Sequence, residues 1–220
     1  MPGLFCMSTE ESRMNTDEII LFANLLYERK YSVGTEGNIS IRTDRDSVII
    51  TPSNMIKKFI TPDDLVEADM NGKVIRGSRK PSTEIATHLA LYRGNTETKA
   101  VIHAHPPFTI LVTLSGDNPF TNPVLAESAL FLCDTTVLPF ARPSTGEGAE
   151  RIRDHAHRKV IVIANHGSFT HGKDLTEAFA LLETLEKCAM IDYYAKYAGI
   201  EAAPLSEEQL SAIGKIEYGK

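Results

Sequence analysis

The chain has 220 residues, 42% of them hydrophobic and 24% charged, which suffices for one globular domain with a proper core. Its formal net charge of -6 argues against a protein that follows a nucleic acid backbone. No apolar stretch approaches the length of a membrane span, so we expect neither nucleic acid nor a membrane as a partner.

Residues 1–14 are expected to form a flexible leader, and residues 15–220 a single domain. The opening MPGLFCM is too short and too uncharged for a signal peptide. Cys6, Cys133 and Cys188 form no C-x-x-C pair, which is typical of a reducing compartment, and we expect none of them to do chemistry. These features predict a cytoplasmic protein.

The first half of the chain predicts a helix, two strands, a hairpin and a second helix. An Asn15-x-x-Glu18 cap precedes helically spaced apolar residues, and Asn71-Gly72 marks the hairpin turn. In chain order these segments are NTDEIILFANLLYERK (15–30), NISIR (38–42), SVIITPS (47–53), VEADMNGKVIRG (66–77) and PSTEIATHLALYR (81–93), the last headed by Ser82.

The second half alternates strands with helices. Its last helix is capped by Asp174 and Glu177 and closed by Gly199. Strands mixed with helices and hairpins predict an α/β sandwich with a largely antiparallel sheet. The segments are KAVIHAH (99–105), a helix from Pro107, a strand near TTVLPF (135–140), a helix through GEGAERIRDHAHR (146–158), the strand KVIVIANHG (159–167) and KDLTEAFALLETLEKCAMIDYYAKYAG (173–199).

Three histidines at strand ends suggest a metal site. His103 and His105 point to the same side of an extended chain, but two ligands do not hold an ion. His166 ends the VIVIAN strand beside Gly167, which allows other atoms to come close. Three histidines leave one coordination position open, as in catalytic zinc sites. Ordinary strand-end histidines with satisfied hydrogen bonds remain the alternative at this point.

The other histidines are weaker candidates. His88 lies four residues after Glu84 on one helix face, so it is a reserve ligand. His155 and His157 belong to a basic, solvated face, and His171 follows a predicted turn where we expect it to be exposed.

Three small, polar segments suggest a cradle for a phosphate group. GTEGNIS (34–40), TPSN (51–54) and PSTE (81–84) combine glycines, hydroxyls and a helix start, where free N–H groups favour an anion. Simple helix capping by Ser82 is the alternative. Together they predict phosphate binding by neutral donors.

The ordered set G-x-x-G-N-x-S, T-P-S, P-S-[ST]-E, H-x-H and N-H-G before a long helix resembles the class II aldolase/adducin family, and within it the L-fuculose-1-phosphate aldolase branch. The resemblance runs from about residue 17 to the C-terminal tail. It implies a three-layer α/β/α sandwich with a mixed, mainly antiparallel central sheet, and a homotetramer.

The resemblance also implies roles for single residues. One Zn²⁺ per subunit would be held by His103, His105 and His166, with Glu84 as the catalytic acid/base. Tyr218-Gly219 matches a mobile tail whose tyrosine helps to protonate the aldehyde oxygen. The implied phosphate-binding positions are Gly37, Asn38, Thr51, Ser53, Ser82 and Thr83.

The implied reaction is the reversible cleavage of a ketose 1-phosphate, such as L-fuculose 1-phosphate, into dihydroxyacetone phosphate and a short aldehyde such as lactaldehyde. Zinc would act as a Lewis acid, and Glu84 would move a proton on and off carbon. Two departures bear on the substrate: Asn54 replaces a usual glycine, and Glu127 falls near a position where the fuculose enzyme supplies a tyrosine.

Four alternatives share parts of this pattern. A 5-deoxyribulose-1-phosphate aldolase fits the same residues. A pentose-5-phosphate 4-epimerase carries aspartate in place of Glu84, and a methylthioribulose-1-phosphate dehydratase lacks the Pro-Ser-Thr run. A non-enzymatic, adducin-like module loses the metal histidines, which are all present here.

Overall fold

Eight strands form a single sheet in the computed structural model, which describes residues 9–43 and 46–214. The strands are β1 (Asn38–Arg42), β2 (Ser47–Ile50), β3 (Val66–Asp69), β4 (Val74–Arg76), β5 (Ala100–Ala104), β6 (Thr136–Leu138), β7 (Val160–Ile163) and β8 (Gly167–Gly172). The helices are α1 (Thr9–Glu28), α2 (Ile85–Gly94), α3 (Pro107–Val112), α4 (Ala126–Phe131), α5 (Gly146–Asp154), α6 (Leu175–Tyr197) and α7 (Glu207–Ile213).

The strand order is β4-β3-β2-β1-β5-β8-β7-β6, and β6 with β7 is the parallel pair among otherwise antiparallel neighbours in the described chain. This confirms the mixed, mainly antiparallel sheet. β5 lies inside the sheet, with Asn38 of β1 opposite His103 on one side and Phe169 of β8 opposite it on the other. The end of β5 is therefore surrounded by backbone from two neighbouring strands.

Alternation along the strands assigns the two faces of the sheet to different helices. Ile39 and Ile102 pack in the core that contains residues of α1 and α6, whereas Val101 and Phe169 pack in the core that contains residues of α2 and α5. These two cores confirm the three-layer α/β/α arrangement. Because neighbours in a strand point to opposite faces, His103 lies on the α2 side of the sheet.

The helix α4 was not predicted, and two further elements differ from the predictions. α1 begins at Thr9 rather than Asn15, and the added residues include Glu10 and Glu11, which the positive end of the helix dipole favours in a first turn. Residues 9–14 therefore belong to α1 rather than to the predicted leader, and residues 1–8 lie outside the described residues. Strand β8 was not predicted because glycine at both of its ends suggested a turn. Pairing with β5 and β7 on both sides outweighs that local preference.

The missed strand changes the environment of His171. The residue is fully buried in β8, contrary to the predicted exposure. Its Nε2 donates to the Arg158 carbonyl at 2.8 Å, and its Nδ1 accepts from the Thr98 hydroxyl at 2.9 Å. Burial lowers the pKa of His171 to about 4. It is a neutral structural histidine.

The predicted cap of α6 is confirmed, since the Asp174 side chain accepts the Glu177 N–H. At the start of α7, Ser206 and Gln209 form a capping box. Gly199 adopts φ +69°, which ends α6 in a left-handed conformation. No helix in the described residues combines the length and apolar character that crossing a bilayer demands.

Candidate metal centre and active site

The three predicted histidines converge at one end of β5. His103 is the fourth residue of β5, His105 follows the strand, and His166 lies in the turn that joins β7 to β8. β8 pairs with β5, so this turn lies beside the end of β5. One ligand atom from each histidine lies within 4.8 Å of the others.

Hydrogen bonds orient two of these rings. His103 Nδ1 donates to the Ser168 carbonyl at 2.9 Å, and His105 Nδ1 donates to Glu36 Oε2 at 2.8 Å. Each ring therefore turns its Nε2 inwards, and these two atoms lie 3.0 Å apart. Phe169 stacks on His103 with ring centroids 4.1 Å apart, which fixes that ring further.

This donor set fits a divalent metal ion. Nε2 of His103 also lies 3.0 Å from Glu84 Oε2, so two imidazole nitrogens and one carboxylate oxygen meet at one point. Because these three atoms are electron-rich, they require a positive charge among them. Either a proton on His103 or a bound cation would supply it. His166 Nδ1 is buried and has no hydrogen-bond partner among the described residues. Neutral imidazole is a ligand for zinc and other borderline metals. The three histidines can therefore hold an ion. Ordinary strand-end histidines with satisfied hydrogen bonds, the alternative interpretation, would not leave His166 Nδ1 without a partner among the described residues.

Gly167 allows the rings to approach each other. A Cβ added there would lie 2.5 Å from the Ala104 carbonyl oxygen and 2.7 Å from Cδ2 of His105. Any side chain would therefore push β8 or His105 away from the site. The predicted close approach beside His166 is confirmed.

Glu84 lies beside the histidines at the start of α2. Its Oε2 accepts a hydrogen bond from Asn38 Nδ2 at 3.0 Å, and its Oε1 lies 3.9 Å from His166 Nε2. Burial alone would raise the pKa of the Glu84 carboxyl, but the positive charge and hydrogen bond of His103, with smaller effects of Asn38 and His166, hold that pKa well below its ordinary value. Glu84 is thus ionised and able to accept a proton.

His88, the reserve ligand, is not part of the metal cluster. Its Nε2 donates to Asn38 Oδ1, and its Nδ1 accepts from the Ser40 hydroxyl at 2.7 Å. Tyr92 continues this chain, with its hydroxyl 2.7 Å from Ser40 Oγ. Burial lowers the pKa of His88 to about 3. A neutral His88 with both nitrogens bonded orients Asn38, whose amide nitrogen then faces Glu84.

Glu36 is a site residue that the sequence did not reveal. It lies in the GTEGN segment, where attention fell on the glycines and Asn38, yet its carboxylate orients the ligand His105. The other carboxylate oxygen accepts the Val33 N–H at 2.7 Å. Burial and the charge of His103 lower the pKa of His105, against the raising effect of Glu36. Glu36 precedes β1, and β1 lies next to the strand of the predicted ligand pair His103 and His105. An acidic residue in such a loop is the sequence signal that could have identified Glu36.

A cavity of about 320 Å³ opens beside the histidines, lined by residues 35–38, 52–54 and 82–83, hereafter the cavity loops, and by Pro143 and Ser144. Five of the six predicted phosphate-binding residues line it, together with Glu84, His105 and His166. These five are Gly37, Asn38, Ser53, Ser82 and Thr83. Ser82 Oγ accepts the Glu84 N–H at 3.2 Å, so Ser82 also holds the start of α2.

Thr51 is the exception among the predicted phosphate ligands. It is fully buried, does not line the cavity, and its hydroxyl oxygen accepts the Ile39 N–H at 3.1 Å. Thr83 lines the cavity, with its hydroxyl oxygen accepting from Ser144 Oγ at 2.9 Å. The structure thus places Thr51 behind the cavity wall and Thr83 in it.

The two departures in the sequence have structural contexts. Asn54 adopts φ +58°, a conformation that glycine and asparagine tolerate best, so the loop keeps its shape without glycine. Glu127 lies half-buried in α4 and pairs with Lys187 at 3.0 Å. Tyr218, the predicted tail residue, lies outside the described residues.

Comparison with known proteins agrees with this geometry. The family model for the Class II Aldolase and Adducin N-terminal domain matches residues 17–193. An L-fuculose phosphate aldolase from Methanococcus maripaludis is 34% identical over 180 residues, 82% of this chain and 97% of that protein. A 3-oxo-tetronate 4-phosphate decarboxylase from Haemophilus influenzae is 34% identical over 169 residues, 75% of this chain and 80% of that protein.

A solved structure has the same fold. It is an L-fuculose 1-phosphate aldolase with a TM-score of 0.83 and 28% identity, matching 97% of this chain and 98% of that one. The solved structure therefore matches nearly the whole chain, and the family model spans residues 17–193, which include the cavity loops and the three histidines.

Proposed function

Because this chain belongs to the class II aldolase and adducin family and is an aldolase, we propose that it reversibly cleaves a ketose 1-phosphate of the L-fuculose 1-phosphate type. The products would be dihydroxyacetone phosphate and a short aldehyde such as lactaldehyde. The convergence of His103, His105 and His166 beside the Glu84 carboxylate is the observation that carries this proposal.

Zn²⁺ is the metal we propose, with one ion per subunit held by His103, His105 and His166. Such an ion would supply Lewis-acid stabilisation of the negative charge that develops on the substrate during cleavage. Three histidines are a ligand set of catalytic zinc sites and leave room for a substrate. Glu36 and the Ser168 carbonyl hold two of these ligands by their outer nitrogens, which sets the inward direction of Nε2.

Glu84 acts as the proton carrier in this proposal. In the cleavage direction, the substrate hydroxyl that becomes the aldehyde loses a proton, Glu84 takes up a proton in exchange, and its carboxylic acid form gives that proton to the carbon that becomes the hydroxymethyl group of dihydroxyacetone phosphate. In the condensation direction, its carboxylate removes that proton. The hydrogen bond from Asn38 aims the carboxylate, and the low pKa keeps it ionised when the cavity is free of substrate.

The phosphate group would bind the cavity loops. Ser53 and Ser82 offer hydroxyls, and Gly37 brings the backbone close without a side chain in the way. A Cβ at Gly37 would lie 3.0 Å from the His103 carbonyl oxygen, and φ there is +73°, so this position requires glycine. Fixing the phosphate holds the reacting carbon at one distance from Glu84.

The aldehyde half of the substrate is proposed on the resemblance alone. Tyr218 would protonate the aldehyde oxygen from the chain terminus. We also propose a cytoplasmic homotetramer. The exposed aromatic side chains of Tyr194, beside Phe108, and of Tyr197, beside Tyr193, offer apolar surface for subunit contacts, and sedimentation would measure the subunit number.

A substrate panel tests the proposal. Zinc-loaded protein is incubated with L-fuculose 1-phosphate, 5-deoxyribulose 1-phosphate and a 3-oxo-tetronate 4-phosphate, with dihydroxyacetone phosphate and CO₂ as the measured products. We expect release of dihydroxyacetone phosphate from a ketose 1-phosphate. Release of CO₂ alone, from the oxo acid, would replace the aldolase proposal with the activity of the Haemophilus relative.

A further inference from the structure

The phosphate end of the cavity lacks a cationic side chain. Among the described residues that line the cavity, the charged side chains are the carboxylates of Glu36 and Glu84, and there is neither lysine nor arginine. The hydroxyl and amide donors of the cavity loops are neutral. A phosphate dianion would therefore enter a site whose own fixed side-chain charges repel it.

A buried ammonium group lies directly behind two of the cavity loops. Lys57 is 1% exposed, and its Nζ donates to the Met55 carbonyl at 2.9 Å and the Thr35 carbonyl at 3.3 Å. Thr35 itself lines the cavity, and Met55 directly follows Asn54, which does too. The charge is thus separated from the cavity wall by little more than one layer of backbone.

The position of Lys57 is costly for the fold. A fully buried lysine is rare unless a carboxylate pairs with it, and none of the ion pairs of the described residues includes Lys57. Burial lowers the pKa of Lys57 to about 8, against the raising effect of the Glu36 charge. A methionine would fill the same space without the energetic cost of burying a charge. The presence of lysine at this position therefore suggests that its positive charge has a role.

We propose that Lys57 is the counter-charge of the phosphate site, attracting the bound phosphate through the cavity loops without contacting it. Its two hydrogen bonds also tie Thr35 of the first cavity loop to Met55, the residue directly after the second. Lys57 is a positioning residue, since it acts through the backbone of Thr35 and Met55. The inference rests on the proposed function for the identity of the anion, a sugar phosphate.

The neighbouring lysine provides a matched control. Lys58 is on the surface, 41% exposed, and pairs with Glu28 at 2.7 Å. Lys58→Met changes the net charge as Lys57→Met does, but away from the cavity. Inorganic sulfate is the probe, because it keeps its double negative charge across the working pH range.

The experiment measures sulfate affinity by calorimetry on the metal-loaded, full-length protein. At pH 7, Lys57→Met should weaken sulfate binding about tenfold or more, whereas Lys58→Met and Lys57→Arg should remain near the parent value. Metal content and circular dichroism report whether each variant is folded. An unchanged sulfate affinity in folded Lys57→Met would overturn the inference.

The parent protein provides a test that needs no folded variant. Lys57 loses its charge as pH rises through about 8, so sulfate affinity should be full below that pH and fall above it. Glu36 is the charged group that bears on Lys57, and the Lys58–Glu28 pair lies beside it at the surface. A flat profile between pH 7 and about 9.5, or the same fall in Lys57→Arg, would overturn the inference.

The two proposals fail separately. If no ketose phosphate is cleaved but sulfate binding still depends on Lys57, the anion site stands and the proposed reaction falls. If ketose 1-phosphates are cleaved and Lys57→Met leaves their KM unchanged, the reaction stands and the role of Lys57 falls.

Discussion

His105 Nδ1 lies 2.8 Å from Glu36 Oε2, so a histidine proposed as a metal ligand and a carboxylate 69 positions earlier in the chain form one hydrogen-bonded pair. The turn before β1 holds Glu36 from both sides: its side chain accepts the Val33 N–H, and its carbonyl accepts the Ser32 hydroxyl. The carboxylate is therefore fixed before any ion binds, and the direction of the His105 ring follows from it.

This pair predicts that Glu36 sets the metal affinity. Glu36→Gln keeps the size but removes the charge, and Glu36→Ala also frees the His105 ring, so we expect zinc affinity to fall about 10-fold to 100-fold, more for alanine. Competition with a chromophoric chelator measures it. Glu28→Gln, a change at an exposed surface pair, serves as the control. Equal zinc affinity in all three variants would show that Glu36 does not support the metal centre.

The histidine cluster predicts the metal content. His103→Ala removes a buried ligand from the centre of the cluster, so elemental analysis should find much less than one zinc per subunit. His157→Ala, at an exposed position outside the cluster, should keep the full content. Full zinc content in folded His103→Ala would show that the three histidines do not hold the metal and have an ordinary structural role.

Glu84 is predicted to be dispensable for folding and required for turnover. Glu84→Gln keeps the shape and should lower the rate about 10²-fold or more, because an amide cannot carry the proton. Exchange of the C–H proton of dihydroxyacetone phosphate with solvent, followed by NMR, isolates this step. Near-normal exchange in a zinc-loaded variant would remove Glu84 from the role.

Sequence alone predicted those residues of the candidate site whose positions depend on local pattern. The alternation of His103 and His105, the strand end at His166 and the start of α2 at Glu84 are all visible within a few residues. Their convergence follows once β5 and β8 are neighbours, yet β8 was missed because its stability comes from pairing on both sides rather than from its own residues.

The features that were missed depend on contacts between distant segments. His171 is buried because β8 is a strand, and His88 is a hydrogen-bonded bridge because β1 and α2 face each other. The sequence suggests the Thr51 hydroxyl as a phosphate ligand, but the register of β1 and β2 places it beside the Ile39 N–H, from which it accepts a hydrogen bond. Such assignments require the three-dimensional neighbours of each side chain.

Substitutions at Ser82 and Thr51 are therefore predicted to have different effects, the first on phosphate affinity and the second on the stability of the fold. Ser82→Ala should weaken the affinity for a phosphate-bearing inhibitor, since its hydroxyl lines the cavity. Thr51→Val should leave that affinity nearly unchanged and lower the free energy of unfolding by about 1–3 kcal/mol, because the buried Ile39 N–H loses its acceptor. Inhibitor titration and urea unfolding measure the two quantities, and the reverse pattern would place Thr51 at the phosphate.

The final prediction concerns the chain Tyr92–Ser40–His88–Asn38, which ends on Glu84. Because His88 Nε2 donates to Asn38 Oδ1, the amide nitrogen of Asn38 is the atom that faces Glu84. His88→Leu leaves Asn38 free to turn its oxygen towards the carboxylate, which would repel it. We expect kcat to fall about tenfold in this variant, with zinc content retained and the KM for the ketose 1-phosphate little changed.

A conservative substitution distinguishes this positioning role from a loss of packing. His88→Gln can still donate a side-chain N–H towards Asn38, so it should recover part of the lost kcat, although it fills the buried space less well than the imidazole. His88→Leu keeps the apolar volume but has no donor, so a packing role would favour leucine over glutamine. If the leucine variant turns over faster than the glutamine variant, His88 acts through packing and Asn38 holds Glu84 without its help.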